Sequence, residues 1–362
     1  MKIDNIKIKK FRSYDHLELS FSPEVNIIYG KNGTGKTNLV ESLYFLALTK
    51  SFRLNNDKFL IKKNEVAATV EGNILTDVST NYKITINEEG KRIEIDKTKV
   101  KKVSDYISRI NVILFNPLDS KVINDAPAVR RRLLNVEISQ LHKEYLVYLS
   151  NYDKVLKQRN TYLKTVYTNG NASKEYLNIL TDKLIEYGIK IAEYRLNFIN
   201  NINEYISDIY KNIFLKGELR IRYISDFKNK TFEELKNKFD EIYLKEISNG
   251  KTLIGIQHDD IDFLLDGNKL KDWGSVGQIK NSIISFKLAE IIVFEKLKNE
   301  FPILILDDLF SELDKEKIEN ILKMLNHNVQ TFITTTDIDG INIGLFNDYK
   351  VFKVTDDGIR EA

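Results

Sequence analysis

The sequence predicts an α/β protein whose β-rich head is split by a long helical insertion. Three observations predict it. An apolar strand at residues 25–29 runs into GKNGTGKT and then into helical spacing at Leu39, Val40, Leu43, Leu46 and Ala47. A second dense apolar run, residues 303–306, ends on Asp307 and Asp308. Between them, apolar residues recur at alternating steps of four and three over two long stretches. The implied layout is a first head segment at 1–119, a helical arm at 120–230, and a second head segment at 231–362.

Composition narrows the classes. A chain of 362 residues suits two or three domains, and 42% apolar content supplies their cores. No apolar run approaches the eighteen or so residues that a membrane helix needs. The opening MKIDNIKIKKF alternates like a strand and lacks the apolar region of a secretion signal. The absence of cysteine excludes disulfides, thiolate metal sites and a cysteine nucleophile, and it is compatible with a reducing compartment. A net charge of +3 is too small to imply a polyanion partner, but its distribution is uneven. Residues 120–230 hold nineteen Lys/Arg against twelve Asp/Glu, a surplus of +7.

In chain order, Ile6 and Ile8, then Leu17, Leu19 and Phe21, alternate as a hairpin. Short strands are expected at 66–70, 82–86 and 92–95, with a turn at 88–90. Residues 111–115 form a denser, buried strand stopped by Asn116-Pro117. The period then changes. Leu134, Ile138, Leu141, Tyr145, Tyr148, Tyr152 and Val155 lead to Tyr162 and Val166, interrupted by Arg159. The turn residues TNGNAS, with Ser173 as N-cap, precede Leu177, Leu180, Leu184, Tyr187, Ile191, Tyr194 and Phe198. Two antiparallel helices of about 35 residues, each about 50 Å long, would form the arm. Their apolar stripe is best explained as the seam between them. Arg130, Arg131 and Arg132 either meet phosphates or brace the arm's base, and a bracing role is expected for at least one.

The chemistry starts at Gly30, Gly35, Lys36 and Thr37, which match G-x-x-x-x-G-K-[ST] in a strand–loop–helix setting. With Lys31, Asn32, Gly33 and Thr34 they make a loop whose backbone N–H groups cradle phosphate. Lys36 would neutralise the β- and γ-phosphates, and Thr37 would ligate Mg2+. Asp307 ends a buried strand, where open α/β sheets bind ligands. It would hold the metal, and Asp308 would orient the attacking water. A capping pair for the next helix is the plainer alternative. Ser275, Gly277 and Gln278 open another helical pattern, a second anion-complementary terminus. Two such termini suggest ATP held between two copies of the chain.

The order of phosphate loop, long insertion, S-x-G-Q and LDDLFSELD resembles the ABC-type ATPase heads of SMC and related DNA-repair proteins. The stretches IKIKKFRSYDHLELSFSPEVNIIYGKNGTGKTNLVESLYFLALTKSFR, LFNPLDSKVINDAPAVRRRLLN and HDDIDFLLDG extend the likeness over nearly the whole chain. The resemblance implies an ABC/SMC-type P-loop ATPase head, with a mixed β-sheet lobe and an α/β lobe, and an inserted antiparallel helical hairpin. It implies ATP and Mg2+ as cofactors, an ATP-dependent homodimer, and slow DNA-dependent hydrolysis. DNA would be bound as duplex or at single/double-strand junctions, with RecR as partner, RecO beside it and RecA downstream. The setting implied is cytoplasmic recombinational repair, replication restart and SOS induction, with no membrane.

Residue by residue, the loop matches Walker A and Asp307 with Asp308 Walker B. Ser275, Gly277 and Gln278 match the signature, and Ser311, Leu313 and Asp314 the D-loop. Arg12 matches an arginine that lies over the nucleotide. Thr336 replaces the switch histidine, Lys280 the signature arginine, and Asn116 stands near the Q-loop glutamine's place. Gln257 and His258 depart from the family's His-Arg and carry no role over. A transporter ATPase subunit and an ATP-gated, non-catalytic scaffold share the head motifs. The basic arm argues against the first, and its modest length against a full SMC protein.

Overall fold

The computed structural model describes residues 1–169, 173–214, 217–313, 315–325 and 327–362. It divides into two compact units: Met1–Asp119 with Ile209–Lys216 and Ile283–Ala362, and Ser120–Asp208 with Gly217–Ser282. Two of the four divisions fall within helices, α6 (Ile206–Phe214) and α10 (Val276–Lys298).

The first unit carries two six-stranded sheets. One is antiparallel, in the order β2–β1–β4–β5–β6–β7. Its strands are β1 (Lys2–Phe11), β2 (Tyr14–Ser20), β4 (Ala67–Leu75), β5 (Ser79–Asn87), β6 (Gly90–Ile95) and β7 (Thr98–Lys99). Alternating burial along β4 and β5 shows one face inward, as the period of two requires. The other sheet has the order β15–β14–β3–β13–β12–β8 and is parallel except for β15. It comprises β3 (Val25–Tyr29), β8 (Val112–Phe115), β12 (Ile303–Asp307), β13 (Thr331–Thr335), β14 (Tyr349–Thr355) and β15 (Gly358–Glu361). Every residue of β8, β12 and β13 is buried, which explains the apolar runs of β8 and of residues 303–306, while β13, TFITT, buries three threonines. The Asp307 strand and the phosphate-loop strand are not direct neighbours. Instead β13 stands between them, paired to β3 on one side and β12 on the other.

Gln330 ties the two sheets. Its amide accepts from Ile3 N at 2.6 Å and donates to the carbonyls of Ile3 at 2.9 Å and Ser22 at 2.8 Å. The Ile3 contact falls where the β1–β4 register shifts, so the side chain satisfies backbone groups there. Phe21 packs edge-on to Phe332 and Phe352, with ring centroids 4.9 and 5.8 Å apart. The helix after the phosphate loop, α1 (Lys36–Leu48), packs close to the antiparallel sheet. A Cβ on Gly72 of β4 would meet Leu46 Cδ2 at 2.9 Å and Asn5 O at 2.8 Å, so only glycine permits that approach. Another helix of this unit, α11 (Lys315–Met324), follows the Asp307 strand.

In the second unit the helical stripe is present but broken. After α2 (Lys121–Asn124), the predicted first arm helix is two: α3 (Pro127–Leu141) and α4 (Lys143–Asn169), separated by His142 in an extended conformation. The return helix is α5 (Lys174–Asn203), capped by Ser173 Oγ, which accepts from Tyr176 N at 3.2 Å. Residues 170–172 of the expected turn lie outside the described residues. Ring contacts between Tyr145 and Tyr194, Tyr148 and Tyr187, and Tyr162 and Tyr176 run in opposite directions along α4 and α5, so the pair is antiparallel.

Arg159, the break in the stripe, is buried. It donates to Glu246 at 2.5 Å, Thr252 at 2.7 Å and Thr181 at 3.1 Å, and lies 4.9 Å from the Phe239 ring. The sequence returned the chain to the head at residue 230, but this unit continues to Ser282. β9 (Leu219–Ile224) pairs with β10 (Asp260–Leu265), and β10 with β11 (Asn268–Lys269), so the intervening α7 (Phe232–Glu241) and α8 (Tyr243–Asn249) belong here too. α9 (Leu270–Trp273) completes it. On the open edge of β9, Asn203 bonds both backbone groups of Ile221 at 2.8 Å, occupying a site where another strand could add.

Candidate nucleotide-binding site

The loop from Gly30 to Thr37 joins β3 directly to α1. Gly30 is required by space: a Cβ there would lie 2.3 Å from Val354 O on the neighbouring β14. Gly35 holds φ 113° as the cap of α1, a conformation side chains disfavour. No side chain caps α1 and no acidic residue lies in its first turn, so its positive end is kept for an anion. Lys31, Asn32 and Gly33 form the exposed crest, while Lys36 is buried. Thr34 Oγ1 donates to Lys31 O at 2.9 Å. Lys36 Nζ donates inward to Gly30 O at 2.7 Å and Lys31 O at 2.9 Å, so it is already positioned over the loop. Burial lowers its pKa, opposed by the charges of Asp308 and Asp307.

Asp307 is brought to this loop. Its Oδ1 accepts from Thr37 Oγ1 at 3.1 Å and Thr334 Oγ1 at 2.7 Å. Burial pushes the Asp307 carboxyl above its ordinary pKa, opposed by those two hydroxyls. Asp308 follows in the left-handed region, φ 53°, with its N–H donating to Thr334 Oγ1 at 2.9 Å. Thr334 therefore orients both acids from the strand between. Thr336, in the switch position, is exposed just beyond β13, and Asp314 lies outside the described residues.

Arg12 is held against the helix that follows the loop. Its guanidinium makes a two-pronged pair with Glu41 of α1, at 2.8 and 2.9 Å. Glu41 is fully buried and also accepts from Ser51 Oγ at 2.5 Å, with Arg53 Nη1 3.8 Å away. A charged residue within an apolar helical pattern was the only sequence signal for this cluster. Asn116 is likewise occupied locally: it donates to Asp119 and accepts from Leu118 N.

In the second unit, Ser275 and Gln278 engage one another. Gln278 N donates to Ser275 Oγ at 3.2 Å, and Ser275 N to Gln278 Oε1 at 2.9 Å, a reciprocal cap at the start of α10. Ser275, Gly277 and Gln278 are exposed, and a Cβ on Gly277 would meet nothing nearer than 4.0 Å. Trp273 and Val276 beside them are 81% and 70% exposed. Gln257 holds its own turn, accepting from Tyr152 and donating to Ile254 O. Arg130 is buried, gripping Asp260 at 2.5 and 2.9 Å and the carbonyls of Val122, Ile123 and Asp125, while Arg131 donates to Asp259 O at 2.9 Å.

A phosphate loop, a paired acid on the next strand but one, and an inserted helical unit define an ATPase head of the ABC/SMC type. The RecF/RecN/SMC N-terminal domain model matches residues 2–357. The chain belongs to the RecF family of DNA replication and repair proteins. It is 36% identical to DNA replication and repair protein RecF of Ligilactobacillus salivarius, over 100% of this chain and 98% of the relative. It is 37% identical to that of Lactobacillus johnsonii, over 98% of each. The solved structure of the recombination mediator protein RecF with ATP superposes with a TM-score of 0.91 at 28% identity, covering 100% of this chain and 97% of that one. The Smc head domain of Pyrococcus furiosus, at 16% identity and a TM-score of 0.57 over 100% and 96% of the two chains, shares the fold. Among the described residues, no helix is long and apolar enough to cross a membrane.

Proposed function

We propose that the chain is an ATP-dependent DNA-binding ATPase of recombinational repair and replication restart, dimeric when ATP is bound. The contact of Thr37 with Asp307 beside the Lys36 loop carries this reading. It juxtaposes a hydroxyl and a carboxylate, oxygen ligands that suit Mg2+, at the mouth of a phosphate cradle. Bound there, Mg2+ would neutralise charge on the β- and γ-phosphates. Lys36 adds a fixed positive charge, and the loop's N–H groups orient the triphosphate. Asp308, next to the metal-binding acid, orients the attacking water.

Ser275, Gly277 and Gln278 present an exposed helix terminus with no bulk in front of it, suited to the γ-phosphate held by a second copy. ATP would then join two chains and double the positive surface offered to DNA. Hydrolysis would release both. The RecFOR pathway named for the structural relative supports a partnership with RecR and RecO. RecA acting downstream, in the cytoplasm, is what the family resemblance adds to this reading. Arg12 would act through the Walker A helix and the nucleotide's surroundings.

Light scattering with and without ATP, run beside duplex-DNA binding, tests the proposal. A rise from monomer to dimer mass, accompanied by tighter DNA binding, is expected. A mass independent of ATP would overturn it.

A further inference from the structure

β6 and β7 are joined by a two-residue turn, Asp96-Lys97, with Ile95 paired to Thr98. Both turn residues have positive φ, 47° and 65°. Hairpin turns of this geometry favour asparagine or aspartate followed by glycine. Asp96 suits its position, and its Oδ1 accepts from Asn81 N at 2.9 Å. Lys97 stands where the backbone favours glycine, so local folding gives no reason for a lysine. Lys99, Lys101 and Lys102 follow within five residues, and all four are exposed.

No ion pair engages any of the four among the described residues, whereas their acidic neighbours are occupied. Glu71, Glu94 and Asp96 share a groove with Lys97. Glu94 accepts from Arg92 at 2.7 Å, Glu71 pairs with Lys83 at 3.4 Å, and Asp96 holds the turn. The segment 96–105 therefore presents four lysines that no ion pair engages among the described residues, against two aspartates, Asp96 and Asp105. The ligand should be anionic. Val103 is the sole large apolar residue of residues 96–105 that the described surface exposes, at 45%. Protein interfaces need an apolar centre and are depleted in lysine. A phosphate backbone needs only spaced positive charge.

We propose that this hairpin and the loop after it are a duplex-DNA contact surface on the head, with Lys97, Lys99, Lys101 and Lys102 meeting backbone phosphates. The assignment rests on the DNA-binding reading above and adds a surface outside the basic arm. These side chains are remote in role from the nucleotide loop, so ATP hydrolysis without DNA should be unaffected by their loss.

The test compares the full-length protein with a variant carrying Lys97→Gly, Lys99→Gln, Lys101→Gln and Lys102→Gln. Duplex binding is measured with ATP over a salt series. At moderate salt, affinity should fall at least several-fold, and the plot of log affinity against log salt should become shallower by about 3.6, about 0.9 for each of the four contacts. Lys97→Gly alone should melt no lower than wild type, because it relieves the turn, yet still weaken DNA binding. Unchanged affinity and slope in the folded variant overturn the surface, and an acidic protein segment then fits the lysines better. Wild-type protein that binds no duplex at any salt overturns the DNA reading itself.

Discussion

Thr37 Oγ1 lies 3.1 Å from Asp307 Oδ1, although 270 residues separate them in the chain. The parallel register brings them together. Tyr29 at the end of β3 pairs with Thr335, and Thr334 pairs with Asp307, so the loop and the acid leave the same sheet edge. Thr334 bridges the extra strand by bonding the Asp307 carboxylate and the Asp308 amide.

Lys36 is the strongest test of the loop. Lys36→Ala removes an ammonium already held over it by two carbonyls. Hydrogen bonds to charged groups are worth about 1.5–3 kcal/mol, so ATP affinity should fall about tenfold to a hundredfold. Titration calorimetry would register the loss, and hydrolysis and dimerisation should fall with it. Unchanged ATP affinity would place the phosphates elsewhere.

Asp308→Asn separates binding from chemistry. Asparagine tolerates the left-handed conformation that Asp308 adopts, so the backbone should persist. Loss of the water-orienting charge should slow turnover by about a hundredfold or more, while ATP still binds and holds the dimer. Single-turnover hydrolysis within a few-fold of wild type would mean that another group does this work.

The strands bearing this site were legible because full burial leaves only apolar residues in 303–306, bounded by acids. The place of β13 between the two strands was not legible. Strand order follows from crossovers that no local period encodes. His142 interrupts a stripe that continues in register on both sides, so the break left no mark on the spacing. Arg159 did leave a mark, and its partner Glu246 could not be read because the pairing spans 87 residues. The pairing of β9 with β10 went unread because more than thirty residues separate the two strands.

Arg12→Ala should act first on stability. It strips the two-pronged partner from a fully buried carboxylate, leaving Ser51 and the more distant Arg53. Breaking a buried pair costs about 3–5 kcal/mol, and the residual partners should bring this towards about 3. Urea denaturation of Arg12→Ala, Glu41→Gln and the double variant should show strong coupling. Additive effects would mean that the two side chains act independently.

Arg130→Ala should likewise destabilise, by about 3–5 kcal/mol, because Asp260 and three carbonyls lose one buried donor. Its DNA affinity, measured below the melting transition, should stay near wild type. A stable variant with weakened DNA binding would instead assign Arg130 to phosphate contact.

Ser275→Arg tests the joining of two copies. Ser275 is exposed and its hydroxyl caps α10, so the substitution has two separable effects. Loss of the cap should cost about 1 kcal/mol. Ser275→Ala reproduces that loss without adding bulk, and should retain most ATP-dependent dimerisation. Arginine also puts a long charged side chain at an exposed terminus with open space around Gly277. ATP binding to the loop should remain within about threefold of wild type, since Lys36, Thr37 and Asp307 are untouched, while dimer formation is lost. Light scattering with ATP, alongside nucleotide titration, distinguishes these outcomes. If Ser275→Arg dimerises as readily as wild type, the α10 terminus does not face a second chain.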